Sequence, residues 1–184
     1  MDESGFRRPG YVGDVDPRFM MDRVAIQEVA FAFGLFYDAG DFDALAELFT
    51  EDARYVVTPS LGPVPPAEPL PPSASPRDRI LAQMAARREL NINSHQAYQR
   101  HFTTNTLISS MAESRAETTS QILVIFAYSD GRQEVRRTGV YSDILRKEES
   151  RWRIARRHLY LLDLPTIGRS DAGIDAQPPT SDNM

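Results

Sequence analysis

The sequence predicts an α+β domain in which a strongly curved, mixed or antiparallel sheet wraps over N-terminal helices around one pocket. Two observations carry this prediction. Apolar residues recur with helical spacing through much of the first half of the chain, whereas long strand-like segments fill the second half. The 184 residues, of which 41% are hydrophobic and 26% charged, are enough for one domain with a substantial core.

The first helix is predicted to begin at Asp22, whose side chain can cap it, and to end at Gly40. Asp41 then caps a short second helix over Phe42–Phe49. The apolar residues of the first helix cover more than one stripe, so we expect that helix to be largely buried. These residues are Val24, Ile26, Val29, Phe31, Phe33 and Phe36.

A short predicted strand over Arg54–Thr58 leads into a proline-rich loop. The eight prolines of residues 58–76, Pro76 included, exclude a helix interior and a central strand within this loop. We expect this loop to cover the pocket as a lid. Pro76 favours the first position of a third helix, whose apolar spacing continues to Asn91.

Four strands are predicted after the third helix, with Asp130-Gly131 as a hairpin turn and Glu148–Ser150 as a second turn. The polar ends, 1–18 and 166–184, are predicted to be flexible arms that flank a domain of residues 19–165. The predicted strands are Tyr98–Met111, Arg115–Tyr128, Glu134–Lys147 and Arg151–Leu162.

Composition excludes several classes of function. The net charge of −5 provides no electrostatic footprint for nucleic acid. The absence of cysteine excludes disulfides, thiolate metal sites and a cysteine nucleophile. Because the sequence lacks a phosphate-binding glycine loop, a serine elbow and a histidine pair at metal spacing, we expect neither a metal nor a cofactor. No signal-peptide pattern or membrane span is evident in it, and we expect a cytoplasmic location.

The first long strand carries polar residues on one of its two faces. Alternation places His101, Thr103, Asn105 and Leu107 on the same side. If this face covers the helices, the imidazole, hydroxyl and carboxamide need partners or a solvated cavity, because unpaired buried polar groups cost about 1–3 kcal/mol each. The cavity is the functional interpretation; a satisfied core or rim histidine is the structural alternative.

Asp38 lies at the end of the first helix, where the helix dipole disfavours an acid. It is therefore either solvated or bound to a specific partner. If it accepts a hydrogen bond from His101, it fixes the imidazole tautomer and raises its basicity. Such a pair in a dry pocket would act as a general base near neutral pH.

Tyr141 and Asp143 share one face of the third long strand, where Gly139 is expected to clear space. Tyr141 can donate to a carbonyl oxygen or serve as a packing residue. On the last strand, Arg156 and His158 follow in alternation from apolar residues and are expected at the pocket mouth. There Arg156 could hold a carboxylate or a thioester phosphate, or pair with an acid.

Several segments together resemble SnoaL-like proteins of the NTF2-like superfamily, over about residues Met21 to Leu162. The resemblance implies the NTF2-like cone as the fold. The segments are DRVAI at 22–26, FYDAGDFDAL at 36–45, LFTEDA at 48–53, HFTTN at 101–105, GVYSD at 139–143 and WRI at 152–154.

Tyr37, Asp38 and His101 are similar to the tyrosine, aspartate and first histidine of scytalone dehydratases, which remove a proton and a hydroxyl from a cyclic ketone. Where that family has a second histidine, this sequence offers Thr138, Gly139 and Tyr141. Where it has a tyrosine on the early strand, this sequence has Val57, with Tyr55 two residues earlier on the same face.

The expected function is therefore a dehydratase, isomerase or cyclase of polyketide-type secondary metabolism that needs no cofactor. His101 would be the base and Asp38 its orienting partner. Proton abstraction next to a carbonyl is the step that the three reactions share. The enolate oxygen would be stabilised by Tyr37, Tyr55 or Tyr141, and the substrate would be positioned by Asn105, Arg156 and His158.

Two alternatives remain open from the sequence. One is a non-catalytic ligand carrier or oxygenase small subunit of the same fold. The other is an epoxide hydrolase whose Asp-Arg-Asp set would be Asp38, Arg156 and Asp143. We expect a small hydrophobic or cyclic substrate, a homodimer or higher homo-oligomer, and neither nucleic acid nor membrane as a partner.

Overall fold

The part of the chain that the structure describes contains three α-helices, one short 3-10 helix (Pro17–Phe19) and five strands. The structure is a computed structural model and describes residues 17–61, 69–95 and 97–162. The predicted arms lie outside these ranges apart from residues 17 and 18, and so does the middle of the predicted lid. The elements are α1 (Met20–Ala39), α2 (Phe42–Glu47), β1 (Phe49–Thr58), α3 (Pro76–His95), β2 (Ala97–Met111), β3 (Arg115–Tyr128), β4 (Gln133–Glu148) and β5 (Arg151–Leu162).

Helix α1 is amphipathic rather than buried all round. Its buried residues recur at three- and four-residue intervals, which is one stripe of a helix. Val24 and Phe31 lie on the other side and are each 47% exposed, so the prediction of a largely buried helix was wrong. The buried stripe consists of Ile26, Val29, Ala30, Phe33, Gly34 and Tyr37.

The C-terminal end of α1 was predicted correctly, whereas its N-terminal end was not. Gly40 adopts the left-handed conformation with a φ of 75°, as expected for a helix stop. Asp22 does not cap the helix, because α1 begins at Met20. The Asp22 carboxylate instead accepts hydrogen bonds from Trp152 Nε1 at 2.9 Å and Lys147 Nζ at 3.0 Å, and thereby links the first turn to the sheet.

Helices α2 and α3 begin where the sequence predicted. The Asp41 carboxylate accepts a hydrogen bond from the Ala44 amide at 3.0 Å and caps α2. Pro76 is the first residue of α3, which continues four residues beyond the predicted end at Asn91. The Ser75 hydroxyl and the Asp78 carboxylate each pair with the other's backbone amide, which is a capping box.

The five strands form one mixed sheet in the order β1-β5-β4-β3-β2. Strands β2 to β5 form an antiparallel meander, and β1 pairs in parallel with β5. The helices pack on the inner face of this curved sheet, so the predicted α+β cone is confirmed. The buried core lies between the two layers and includes Phe33, Phe49, Phe126, Trp152 and Ile154.

Bulges interrupt the alternation of β2 and β5. In β2 one extra residue lies between the pairs Thr104–Gln121 and Leu107–Thr119. In β5 one extra residue lies between Ile154 and Arg156. A one-residue insertion reverses which face every later side chain occupies. Both bulges therefore change which residues reach the inner face.

No helix among the described residues is long and apolar enough to cross a membrane.

Candidate active site

A cavity of about 400 Å³ lies between helices α1 and α3 and the inner face of the sheet. This volume suits a small ring-containing molecule. Much of its wall is apolar or aromatic, including Phe33, Met84, Ile122, Val124, Leu159 and Leu161. Ser60 and Leu61, at the start of the proline-rich loop, also line it.

Asp38 and His101 form a two-point hydrogen-bonded pair at the edge of this cavity. The His101 backbone N–H donates to Asp38 Oδ2 at 2.7 Å, and His101 Nδ1 lies 2.5 Å from Asp38 Oδ1. A carboxylate can only accept, so Nδ1 carries a ring proton, and in the neutral imidazole the lone pair is therefore on Nε2. Both side chains are nearly buried, at 12% and 10% exposure, and His101 lines the cavity.

Gly34 allows α1 to approach β2 closely enough for this pair to form. A Cβ at Gly34 would lie 2.9 Å from the His101 carbonyl oxygen and 3.1 Å from the His101 Cβ. Gly34 and Asp38 are four residues apart and therefore lie on the same face of α1. The glycine brings the backbone of β2 against the helix, and the aspartate one turn later reaches His101.

Tyr37 supports the imidazole from the helix side. The two rings meet edge to face, with centroids 5.0 Å apart. The Tyr37 hydroxyl donates to the Met84 carbonyl at 3.3 Å, and burial raises the pKa of Tyr37. Tyr37 lines the cavity as predicted, but its proton is directed at α3.

Tyr55 and Tyr141 line the cavity from the sheet side. Burial raises the pKa of Tyr55 to about 12, and Tyr141 acts as a hydrogen-bonding partner that opposes this rise. Burial also raises the pKa of Tyr141. Both phenols are therefore protonated at neutral pH and able to donate hydrogen bonds.

Behind Tyr141 lies a buried ion pair between Asp143 and Arg157. Arg157 Nε and Nη2 donate to the two carboxylate oxygens at 2.8 and 2.7 Å. Its guanidinium carbon lies 4.0 Å from the Tyr141 ring centroid and 4.2 Å from that of Phe33. Burial acts to lower the pKa of Arg157, but the charge and hydrogen bonds of Asp143, together with the nearby Tyr141 and Tyr55, raise it overall. This pair supports the cavity wall but does not line the cavity.

Arg156 and His158 lie outside the cavity, contrary to the prediction. The bulge in β5 turns Arg157 inward and Arg156 and His158 outward. His158 Nε2 is 2.8 Å from Thr58 Oγ1, and its ring stacks on Tyr160 with centroids 3.8 Å apart. The Asp38-Arg156-Asp143 arrangement expected of an epoxide hydrolase is therefore not assembled.

Asn105 is also outside the cavity, because it occupies the bulge of β2. Its φ is 52°, and its exposed side chain donates to Gln121 Oε1 at 2.6 Å. After the bulge, Thr106 and Ile108 turn inward where alternation had predicted Asn105 and Leu107. Thr106 Oγ1 lies 3.0 Å from the hydroxyl of the buried Ser120.

Gly139 serves strand packing rather than the cavity. A Cβ at this position would lie 2.5 Å from the Tyr160 carbonyl oxygen on β5. The glycine lets β4 and β5 approach each other and does not clear space for a ligand.

The cavity wall also has a cationic part that was not predicted from the sequence. Arg137 on β4 lines the cavity, and it lies two residues before Gly139, so alternation continued backwards from Tyr141 would have found it. On α3 the lining polar residues are spaced by four, which is one helix face. They are Arg79, Gln83, Arg87 and Asn91.

Metal ligands do not cluster in the part of the chain that the structure describes. Nowhere in it do three or more His, Asp or Glu side chains come together in a way that could hold a metal ion.

Comparison with known proteins identifies the family. Residues 18–158 match the SnoaL-like domain, so the chain belongs to the SnoaL-like family. This family includes polyketide cyclases and dehydratases. The comparison with curated proteins produced no significant match.

Solved structures share the fold at low sequence identity. An NTF2-like protein with a cystatin-like fold from Novosphingobium aromaticivorans is 23% identical, with a TM-score of 0.64 over 81% of this chain and 87% of that one. A protein of unknown function from Mycobacterium tuberculosis is 25% identical, with a TM-score of 0.61 over 90% and 88%. A protein provisionally called a scytalone dehydratase, from N. aromaticivorans, is 24% identical, with a TM-score of 0.59 over 78% and 85%.

Proposed function

We propose that this protein is a cofactor-independent dehydratase, isomerase or cyclase that abstracts a proton next to a carbonyl of a small cyclic substrate. The Asp38–His101 pair at the cavity edge is the observation that carries the proposal. The Asp38 carboxylate accepts the hydrogen bond of His101 Nδ1, and His101 Nε2 has no hydrogen bond to another described residue. A neutral imidazole held in this tautomer presents Nε2 as a general base.

The proposed chemistry begins with transfer of the α-proton to His101 Nε2. The C–H electron pair forms the enolate, whose oxygen receives a hydrogen bond from a tyrosine hydroxyl. In a dehydration, the imidazolium then returns this proton to the β-hydroxyl, which leaves as water while the double bond forms. Dehydration is our first choice because Tyr37, Asp38 and His101 resemble the residues of a dehydratase. A polyketide-type substrate is consistent with the family.

Tyr55 and Tyr141 are our candidates for the donor to the enolate oxygen. The Tyr37 hydroxyl donates to the Met84 carbonyl, so the remaining tyrosines of the cavity wall are the two on the sheet. Both are protonated at neutral pH and line the cavity, so either can donate to the enolate oxygen.

The alternative function is that of a non-catalytic protein of the same fold, which binds a ligand or supports a partner subunit. A filled interior, or a His101 too far from Asp38 to bond, would have favoured it. The 2.5 Å contact and the cavity of about 400 Å³ favour the acid–base function instead.

Exchange of α-protons tests the proposal without knowledge of the substrate. Cyclic ketones such as 1-tetralone and 1-indanone are incubated with the protein in D2O, and deuterium incorporation is followed by NMR. We expect the wild-type protein to accelerate exchange of at least one ketone. We expect His101→Ala to lower the catalysed rate by about 10²–10⁴-fold, as for loss of a general base.

Two further variants sharpen this test. His158→Gln changes a histidine outside the cavity and should leave the catalysed rate unchanged. Asn at position 38 has only one oxygen to accept hydrogen bonds from the His101 backbone N–H and the His101 Nδ1–H. Asp38→Asn should therefore hold the imidazole less firmly and lower the catalysed rate by roughly tenfold or more. A His101→Ala rate within about threefold of wild type would contradict the mechanism, since general-base loss costs far more.

We also propose that the protein forms a homodimer through the outer face of the sheet. Large apolar side chains are exposed there, among them Tyr98, Phe102, Val135, Tyr160 and Leu162. Exposed apolar clusters of this kind mark protein interaction surfaces.

A further inference from the structure

The cavity has one cationic end, although the chain as a whole is acidic. The net charge is −5, yet three arginines line the cavity and no carboxylate side chain does so among the described residues. Arg79 Nη2 donates to the Pro72 carbonyl at 3.1 Å. The other two arginines are Arg87 and Arg137.

Arg137 makes no hydrogen bond or ion pair with any residue in the described ranges. Burial lowers its pKa, and the nearby guanidinium of Arg87 lowers it further. Arg87 Nη2 donates to the Leu61 carbonyl at 3.2 Å, which keeps Arg87 at the cavity wall. A partly buried Arg137 with a like charge nearby is stabilised by an anion beside its guanidinium.

Two buried amides at the same cavity have unused hydrogen-bonding groups. Asn91 and Gln99 are 5% and 7% exposed, and both line the cavity. Within the described ranges, Asn91 Nδ2 and Gln99 Oε1 lack a hydrogen-bond partner. Asn91 lies one helical turn beyond Arg87, so its NH2 group is placed to join the arginines in binding an oxyanion.

The sheet register places Arg137 on the same row as the proposed base. His101 pairs with Val124, and Val124 pairs with Arg137. Two strand spacings separate the His101 and Arg137 Cα atoms by about 10 Å. Their side chains enter one cavity, so a single ring-containing molecule can reach both.

We propose that the cavity binds its substrate through a carboxylate, which Arg137 holds together with Arg87 and Asn91, while the ring lies over the apolar wall beside His101. The substrate class is thus a cyclic keto acid rather than a neutral ketone. This inference rests on the proposed function, because it names a feature of the substrate of the same cavity.

Binding of matched probes tests this inference separately from turnover. Isothermal titration calorimetry compares 1-naphthoate, its neutral isostere 1-naphthamide and 1-naphthyl phosphate, in a buffer without phosphate. We expect naphthoate to bind at least about tenfold more tightly than naphthamide, since a charge-assisted pair is lost with the amide. We also expect naphthoate to bind more tightly than naphthyl phosphate.

Arginine variants locate the site. Arg137→Gln should weaken naphthoate binding by about 10–100-fold and leave naphthamide within about threefold. Arg136→Gln is the matched control, because Arg136 is the neighbouring residue, pairs with Glu134 at 3.0 Å and does not line the cavity. It should change neither affinity. If Arg137→Gln does not fold, Arg137→Lys keeps the charge without the bidentate fork, and should bind naphthoate measurably more weakly than wild type.

Several results would overturn the carboxylate site. They are equal wild-type affinities for acid and amide, an equal loss for both ligands in Arg137→Gln, an effect of Arg136→Gln as large as that of Arg137→Gln, or tighter binding of the phosphate. Unchanged naphthoate binding in Arg137→Gln with lost proton exchange would instead assign Arg137 to the enolate. His101→Ala separates the two proposals, since it should abolish exchange and retain naphthoate binding.

Discussion

His101 and His158 show how the surroundings of one residue type determine its possible roles. His101 is held at two atoms by a buried carboxylate and presents Nε2 to a cavity. His158 lies on the outer face of the sheet, stacked on Tyr160 and beside Arg156. His101 is placed to exchange protons with a ligand in the cavity. His158 does not line the cavity and is influenced only by its neighbours on the outer face of the sheet.

We expect His158 to make the protein less stable as the pH falls below neutrality. Burial, and then the charge of Arg156, lower the pKa of His158 from 6.5. The native state thus favours the neutral His158 ring. The contribution of this preference to stability is fully present above the pKa that His158 has in the unfolded chain. It is lost as the pH falls through the lower folded pKa.

NMR titration of the histidine ring protons checks this expectation, with His158→Gln to assign the signal. The His158 midpoint should lie below 6.5. The variant should also show a shallower fall in Tm between about pH 7 and pH 5 than the wild type. A His158 midpoint above 6.5 would reverse the sign of the effect and contradict it.

At the scale of elements, the site depends on where helix α1 and strand β2 touch. Gly34 is in a helix interior, where alanine is normally more stable by about 1 kcal/mol. Here a Cβ would lie 2.9 Å from a backbone oxygen of β2. Close packing therefore outweighs helix propensity at this position.

We expect Gly34→Ala to destabilise the protein by about 1–3 kcal/mol, the range for overpacking, despite the gain in propensity. It should also displace β2 and weaken the Asp38–His101 pair. Thermal unfolding measures the first effect, and the NMR signal of the His101 Nδ1 proton reports the second.

Gly131→Ala is the control for this substitution. Gly131 has a φ of 84° and no atom within 4 Å of a Cβ, so alanine there adds backbone strain alone. It should lower the Tm and leave the His101 signal unchanged. If Gly34→Ala raised the Tm and kept the His101 signal, the close approach would not matter for the site.

At the scale of the whole molecule, large apolar side chains are exposed on two surfaces formed by described residues. One is the outer face of the sheet, which includes Tyr98 and Phe102 on β2. The other is the outer side of α1, which includes Val24, Phe31 and Leu35. Only the first lies on the convex side opposite the cavity, where two sheets can pack back to back.

Size-exclusion chromatography with light scattering distinguishes these surfaces. We expect the wild-type protein to elute as a dimer, Phe102→Glu to be monomeric and Phe31→Glu to remain dimeric, because a buried unpaired charge opposes association. Dissociation by Phe31→Glu alone would place the interface on α1. A wild-type protein that elutes as a monomer would contradict the proposed dimer.

Much of the fold was predictable because its signals are local. Gly40, Asp41 and Pro76 define helix ends through their own backbone or capping chemistry. The turns at Asp130-Gly131 and Glu148–Ser150 likewise separate the strands where expected. Each of these predictions needs only the few residues around it.

The pairing of Asp38 with His101 was also predictable, because an acid at a helix C-terminus needs a specific partner or water. The Arg137 position was readable in principle, since alternation from Tyr141 leads back to it. Its place beside Arg87 and Asn91 in one cavity wall was not, because that arrangement exists only once α3 packs over the sheet.

The sequence by itself determined the α+β class, the helix ends, the turns and the residues of the proposed base. Only the tertiary structure decided which residues of β2 and β5 face the cavity. Alternation assumes an unbroken strand, and the bulges at Asn105 and before Arg156 reverse it. A bulge is set by how a strand pairs with its neighbours rather than by its own residues. For this reason Asn105, Arg156 and His158 lie outside the cavity, while Arg157 is buried behind its wall.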